Sequence, residues 1–344
     1  MKIVFIVPYY GKFPNYFDLF LKTCANNPEF DWLIVSDIKS HYKYPQNVHY
    51  MEMPWNQLCT LFQNKFDFRI LLETPYKLCD FKPAYGYVFQ DYIEGYDFWG
   101  YCDVDLLFGK LKTFLPFEKI RAYDKIGHLG HMTLYRNTGE INCLFMKEVN
   151  GVFRYKEVFS SKQSYIFDEW NWISINHIFL ANEKRVWIFN DFFDIYPYDD
   201  NFRKVVRQVP QNSESYGKDM IEKNTSFASI EKGKAFQWSL YKGKWEKQET
   251  AYVHFQKRNM QVLVEDTMEK ILCIPNRFIP MNEDGVPKKY VWKANVHRIL
   301  NKKKLQREAK KAVFWIIVKT NPIRHPFRNA ISNDGEKSNE TREK

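Results

Sequence analysis

The chain opens on residues 2–7 (KIVFIV), an apolar run after Lys2 that Pro8 ends. A short β-branched run without a polar face reads as a strand buried on both sides in a parallel sheet. Tyr9, Tyr10 and Gly11 follow as a loop, residues 16–24 set Phe17, Phe20 and Leu21 on one helical face, and residues 31–35 (DWLIV) form a second buried run that stops at Ser36 and Asp37. This strand–helix–strand order predicts a βαβ unit and an α/β fold. A weaker strand is expected at 48–51, helical spacing occupies 55–66, and 78–90 (LCDFKPAYGYVFQ) reads as a loop entering a helix. Residues 96–102 (YDFWGYC) form an aromatic strand that runs directly into Asp103-Val104-Asp105, with Gly109 closing the turn. Apolar positions recur helically over 172–180. Beyond residue 205 the pattern turns hydrophilic and strand-like in short pieces, 236–241, 243–245 and 251–255, read as a hairpin that delivers His254.

The end of the 96–102 strand carries the main chemical candidate. In open α/β sheets ligands bind outside the carboxyl ends of the strands, and Asp103 and Asp105 flank a single residue there. Two hard oxygen ligands suit Mg²⁺ or Mn²⁺, which keep open positions for water and phosphate oxygens. A turn or helix N-cap would also use two aspartates at this spacing. Phe167-Asp168-Glu169-Trp170-Asn171 is a second candidate, an acidic pair between aromatic residues. One of its carboxylates can serve as a general base, and aromatic walls raise the pKa of an acid. The same two acids would equally suit the first turn of the helix expected at 172–180. Gly127-His128-Leu129-Gly130-His131 could suggest a metal pair, but its two histidines lack a plausible carboxylate partner nearby, and the stretch reads as an acceptor-facing loop.

YDFWGYCDVDLLFG, residues 96–109, resembles the strand and DxD motif of GT-A glycosyltransferases, especially small bacterial capsule and lipopolysaccharide sugar transferases. KIVFIVPYY looks like the opening strand and nucleotide-binding loop of that fold, LIVSD like its second strand, and YVHFQKR like the C-terminal segment in which a histidine completes a metal site. The resemblance covers roughly residues 1–260. It implies a single GT-A domain, Rossmann-like with a mixed central sheet, over residues 1–284, while charge and polarity alone read a basic helical segment, 285–329, and a disordered tail, 330–344, after it. It implies a metal, Mn²⁺ or Mg²⁺, held by Asp103, Asp105 and His254. A nucleotide-sugar donor would lie against Val7, Pro8, Tyr9, Asp37, Lys82, Asp103, Val104 and Lys257, with Asp168 or Glu169 as the catalytic acid–base residue on the acceptor side. The implied reaction moves a hexose, by the habit of DxD enzymes from a UDP-sugar, to a glycan or lipid-linked oligosaccharide in bacterial surface polysaccharide synthesis. A sugar nucleotidyltransferase is an alternative, although VPYYGKFPN is a poor match for its Gly-rich phosphate loop. A non-catalytic carbohydrate-binding protein is another.

Charge changes the picture at one place only. Residues 288–328 hold thirteen Lys or Arg against the single acid Glu308, a larger excess than the +10 of the whole chain, so the remainder is close to neutral. No nucleic-acid motif accompanies these cations, and nucleic acid is not an expected partner. Cationic clusters alternating with apolar positions suit either an anionic membrane surface or a helix packed on the catalytic domain. The amino terminus is too short in apolar residues for a signal peptide, and the six scattered cysteines form no metal or disulfide pattern. A cytoplasmic protein, peripheral on the inner face of the membrane, is the expectation.

Overall fold

The computed structural model describes residues 1–38, 42–171, 173–198, 201–209, 218–224, 226–265 and 268–281, so the basic segment and tail read from the sequence lie outside the described residues. Strands β1 (Ile3–Pro8), β2 (Asp31–Ser36) and β3 (Val48–Glu52) run parallel, with helix α1 (Phe17–Ala25) crossing between the first two. Helix α2 (Trp55–Gln63) follows, and β4 (Phe98–Cys102) pairs in parallel with the other edge of β1. After a short β5 (Leu106–Phe108), a hairpin of β6 (Lys125–Leu129) and β7 (Met132–Arg136) joins β4 antiparallel, and β8 (Val186–Trp187) completes a seven-stranded mixed sheet in the order β3-β2-β1-β4-β7-β6-β8.

Alternation along the strands explains the layering. Side chains of a strand point alternately to opposite faces. Ile3, Phe5, Val7, Trp32, Ile34 and Phe98 enter one core with α1, while Val4, Ile6, Leu33, Val35, Trp99 and Tyr101 enter another with α2. Both faces are apolar, hence the unbroken apolar runs. Residues 78–90, expected to be a loop entering a helix, form a chain of short helical turns instead, Leu78–Phe81 and Tyr85–Val88 among them. Pro83 interrupts any continuous hydrogen-bonding, and Gly86 lets the second turn lie on Trp99, since a β-carbon there would sit 2.2 Å from the indole.

The second half is richer in strands than its hydrophilic pattern suggests. It contains β9 (Phe193–Asp194), the pair β10 (Val205–Gln208) and β11 (Lys218–Ile221), then β12 (Ser226–Glu231), β13 (Lys234–Tyr241), β14 (Lys244–Thr250), β15 (Tyr252–His254), β16 (Gln261–Val262), β17 (Lys270–Ile274) and β18 (Arg277–Pro280). Six of them form one sheet, β14-β13-β12-β17-β18-β16, which packs Ala228, Ile230, Ala235, Cys273 and Phe278 into the same core as Phe5 and Trp32. The hairpin of β13 and β14 does not itself carry His254. It leads into β15, which leaves that sheet and inserts between β5 and β9.

Candidate metal and nucleotide site

The three-stranded sheet β5-β15-β9 is the frame of the site. β15 pairs antiparallel with β5, placing His254 beside Leu106, and parallel with β9, placing His254 beside Asp194. Asp105, one residue before Leu106, is tied to the same strand because its carbonyl accepts from the Phe255 N–H at 3.0 Å and its Oδ2 accepts from the Lys257 N–H. Asp103, just past the end of β4, donates its N–H to the His131 carbonyl at 2.9 Å. Asp103, Asp105 and His254 therefore converge, each offering a ligand atom within 4.8 Å of the others.

His254 Nε2 lies 3.5 Å from Asp105 Oδ1 and 4.0 Å from Asp103 Oδ2, and Nδ1 lies 2.8 Å from Asp194 Oδ1. Asp105 Oδ1 is buried without a hydrogen bond. Burial alone would strip the imidazole of its proton, but the carboxylates of Asp105 and Asp194 outweigh it and lift the pKa to about 10. Burial pushes Asp105 the other way, and the facing imidazolium prevails and lowers it. The cluster thus demands positive charge at this point. A proton on His254 supplies it, and a divalent cation held by Asp103, Asp105 and neutral His254 would supply more. Two carboxylates and one imidazole, with an orphaned buried oxygen among them, fit Mn²⁺ or Mg²⁺.

Asp103 and Asp105, though not His254, line a cavity of 710 Å³ at the carboxyl ends of β1 and β4. Val7, Pro8, Tyr9, Lys82, Val104 and Lys257 line it together with Asp103 and Asp105. Asp37 is not among its lining residues. Tyr9 stacks on Phe13 at 5.0 Å between ring centroids, which gives one wall a flat aromatic face. Lys12 and Arg258 add cations to those of Lys82 and Lys257. Lys82 donates to Asp103 Oδ1 at 2.8 Å and to the Gly130 carbonyl at 2.7 Å. Burial works against its charge, but the Asp103 and Asp168 carboxylates outweigh it and hold the ammonium well above the usual lysine range. The exposed Lys257 lies 4.5 Å above the ring of Tyr76.

Asp168 and Glu169 sit behind Lys82. Asp168 Oδ2 is 3.5 Å from the Lys82 ammonium, and Gly130 admits it closely, since a β-carbon at that glycine would lie 2.4 Å from the same oxygen. Burial pushes the Asp168 carboxyl up to about 7 against the pull of Lys82, with Glu169 adding to the rise. Glu169 is already engaged, accepting from the Gly130 N–H at 3.0 Å and pairing with Arg207. The two acids do not lie in the first turn of the following helix, which starts only at Ile175 with Ser174 as its cap and His177 returning the bond. Ile166 and Ile173, both β-branched with φ of 52° and 44°, bracket their loop instead. Asp80, buried with Lys77 at 2.8 Å, accepts from the Tyr165 and Phe167 N–H groups and anchors this loop.

The GHLGH stretch is not an open loop. His128 lies in β6, His131 ends the two-residue turn before β7, and both are buried. Nor is His131 remote from carboxylates, because tertiary packing brings it into a group with Asp194 and His254. Asp194 and Gln256 are residues of the site that sequence reasoning missed, and His131 is the one it read as an acceptor-facing loop. An acid inside the aromatic run 192–196 (FFDIY) is the signal that could have found Asp194, since a lone acid in an apolar strand needs a partner.

Residues 5–282 match the profile of DUF6625, a family of unknown function. The chain belongs to this family. No curated protein matches it. Among solved structures, DUF6625 as represented by this chain is similar to the galactosyltransferase LgtC in complex with donor and acceptor sugar analogs, at 14% identity over 57% of this chain and 76% of that one, with a TM-score of 0.33. An active-site mutant of LgtC is similar at 13% identity over 57% and 75%, again with a TM-score of 0.33. A likeness of that size carries no functional weight.

Proposed function

We propose that the chain is a glycosyltransferase of the GT-A type that binds a nucleotide diphosphate sugar, by preference a UDP-sugar, in the 710 Å³ cavity and transfers the sugar to a hydroxyl of a glycan or lipid-linked saccharide. The observation that carries this reading is the convergence of His254, with a buried unbonded oxygen of Asp105, on Asp103 and Asp105, which line a strand-end cavity walled by lysines. Asp103, Asp105 and His254 would hold Mn²⁺ or Mg²⁺. Such a cation, when bound, neutralises charge developing on a departing nucleoside diphosphate.

The chain's own residues account for the rest. Lys82 and Lys257 offer ammonium groups to diphosphate oxygens, Lys82 from a fixed position and Lys257 from an exposed one. Val7, Pro8 and the stacked Tyr9 give the base an apolar wall. Asp37, off the cavity wall, would read the ribose or base only from its rim. Asp168 suits the general base better than Glu169, because both Glu169 oxygens are already bonded whereas burial keeps Asp168 poised near neutrality. Surface polysaccharide synthesis, and attachment to an anionic membrane through residues 288–328, extend the same reading.

Hydrolysis of a panel of nucleotide sugars by the purified full chain with Mn²⁺, alongside Asp105→Asn, tests it. Metal-dependent release of one nucleotide, reduced at least a hundredfold in the variant, is expected. Absence of both hydrolysis and nucleotide binding by calorimetry would remove the enzyme reading and leave the carbohydrate-binding one.

A further inference from the structure

His254 has two ring nitrogens, and the fold gives each a carboxylate partner. Nε2 faces Asp105 and Asp103, while Nδ1 meets Asp194 at 2.8 Å. Asp194 is a full strand-neighbour of His254 in the parallel pairing of β9 with β15, and its side chain is 0% exposed. The Ile195 N–H donates to the His254 carbonyl at 3.1 Å and holds the two strands in that register. Gln256 Nε2 donates to the same Asp194 oxygen at 2.6 Å, from a backbone turned sharply by left-handed φ values of 54° at Gln256 and 56° at Lys257. A wholly buried carboxylate is expensive unless its hydrogen bonds are fixed by the fold, and here two side chains fix one oxygen.

Resting on the cation site proposed above, we infer that Asp194 is its positioning residue. Accepting the Nδ1–H of His254, it selects the tautomer whose Nε2 lone pair faces Asp103 and Asp105, and Gln256 keeps Asp194 aimed. An imidazole held in this way has a fixed ring plane and greater basicity at its other nitrogen. Asp194 touches no reacting atom and acts only through His254. The competing arrangement is an inner ion. Asp194 Oδ2 and His131 Nε2 are both buried without hydrogen bonds, and His131, Asp194 and His254 offer ligand atoms within 4.8 Å of one another. An ion seated there would make Asp194 a ligand.

Mn²⁺ titrations of the full chain by calorimetry, together with pulsed EPR of the bound ion, separate these cases. In Asp194→Asn the affinity is expected to fall about 10–100-fold and the nitrogen coupling of His254 to weaken. Gln256→Ala, which spares the Nδ1–H bond, should lose less than about tenfold by the same measure. Affinity and nitrogen coupling unchanged in Asp194→Asn, with only the melting temperature lowered, would overturn the inference, because the role would then be structural alone. A second equivalent of Mn²⁺ that disappears in His131→Ala would also overturn it. Wild-type binding that Asp105→Asn abolishes and Asp194→Asn leaves intact would sink this inference while sparing the cation site. Failure of the wild type to bind Mn²⁺ at all would instead remove the site on which it rests.

Discussion

Asp168 is an aspartate whose surroundings disagree about its charge. Burial favours the neutral acid, Lys82 favours the carboxylate, and the balance leaves a pKa of about 7. A carboxyl group raised from the ordinary 3.8 binds its proton more tightly in the folded state than in the unfolded one. Folding is therefore unpenalised at this residue below about pH 4, loses stability as pH rises toward 7, and carries the full cost above that. Asp168→Asn removes the titration. Chemical denaturation from pH 4 to 8 should show the variant gaining on the wild type as pH rises, at up to about 1.4 kcal/mol per pH unit inside that window. Parallel stability profiles would mean that Asp168 is not held in this way, and its assignment as a base poised near neutrality would go with it.

Short elements position Asp168 and Glu169, and none of them is a long helix. The turn Leu78–Phe81 carries Asp80, which receives the Tyr165 and Phe167 N–H groups from a segment 85 residues away, while Lys77 beside it donates to the Val158 carbonyl at 2.9 Å. The buried Lys77–Asp80 pair is thus a staple between the helical turns and the loop that holds Asp168. Removing one partner of a buried pair leaves an uncompensated charge and unbonded backbone groups. Asp80→Ala should cost about 3–5 kcal/mol in urea denaturation and lower donor turnover through the displaced loop. A loss under about 1 kcal/mol would show that the loop is held by other means. Lys82, two residues on, reaches the opposite side of the same loop, so one short stretch both anchors the acids and faces Asp103.

Two sheets and one shared core make the site a property of the whole molecule. The seven-stranded sheet supplies Asp103 at the carboxyl end of its central strand β4, and the six-stranded sheet delivers β15 by way of the β13–β14 hairpin. No helix among the described residues is long and apolar enough to cross a membrane. The charge excess of residues 288–328 is the remaining global feature, and the proposed membrane attachment rests on it. Each Lys or Arg near an anionic surface contributes ~1 kcal/mol, screened by salt. The full chain should sediment with phosphatidylserine vesicles at low salt. Combined Lys302→Glu, Lys303→Glu and Lys304→Glu should weaken that binding more than about tenfold. Equal binding to neutral vesicles, or none to anionic ones, would remove the membrane reading.

The sequence by itself determined the buried strands β1, β2 and β4 and the acidic pair at the end of β4. Apolar runs and a strand-end motif are local patterns, written in neighbouring residues. It also marked Asp168 and Glu169 as an acidic pair of interest, but not which of them is tied up by Gly130 and Arg207. The start of the helix at Ile175 is also a local matter, since the cap formed by Ser174 and His177 outweighs the pull of the acids at 168 and 169 on an earlier start. Only the tertiary structure joined His131 and Asp194 to His254. Asp194 and His254 are 60 residues apart, and their contact exists because two short strands pair in parallel, a non-local event that no periodicity records.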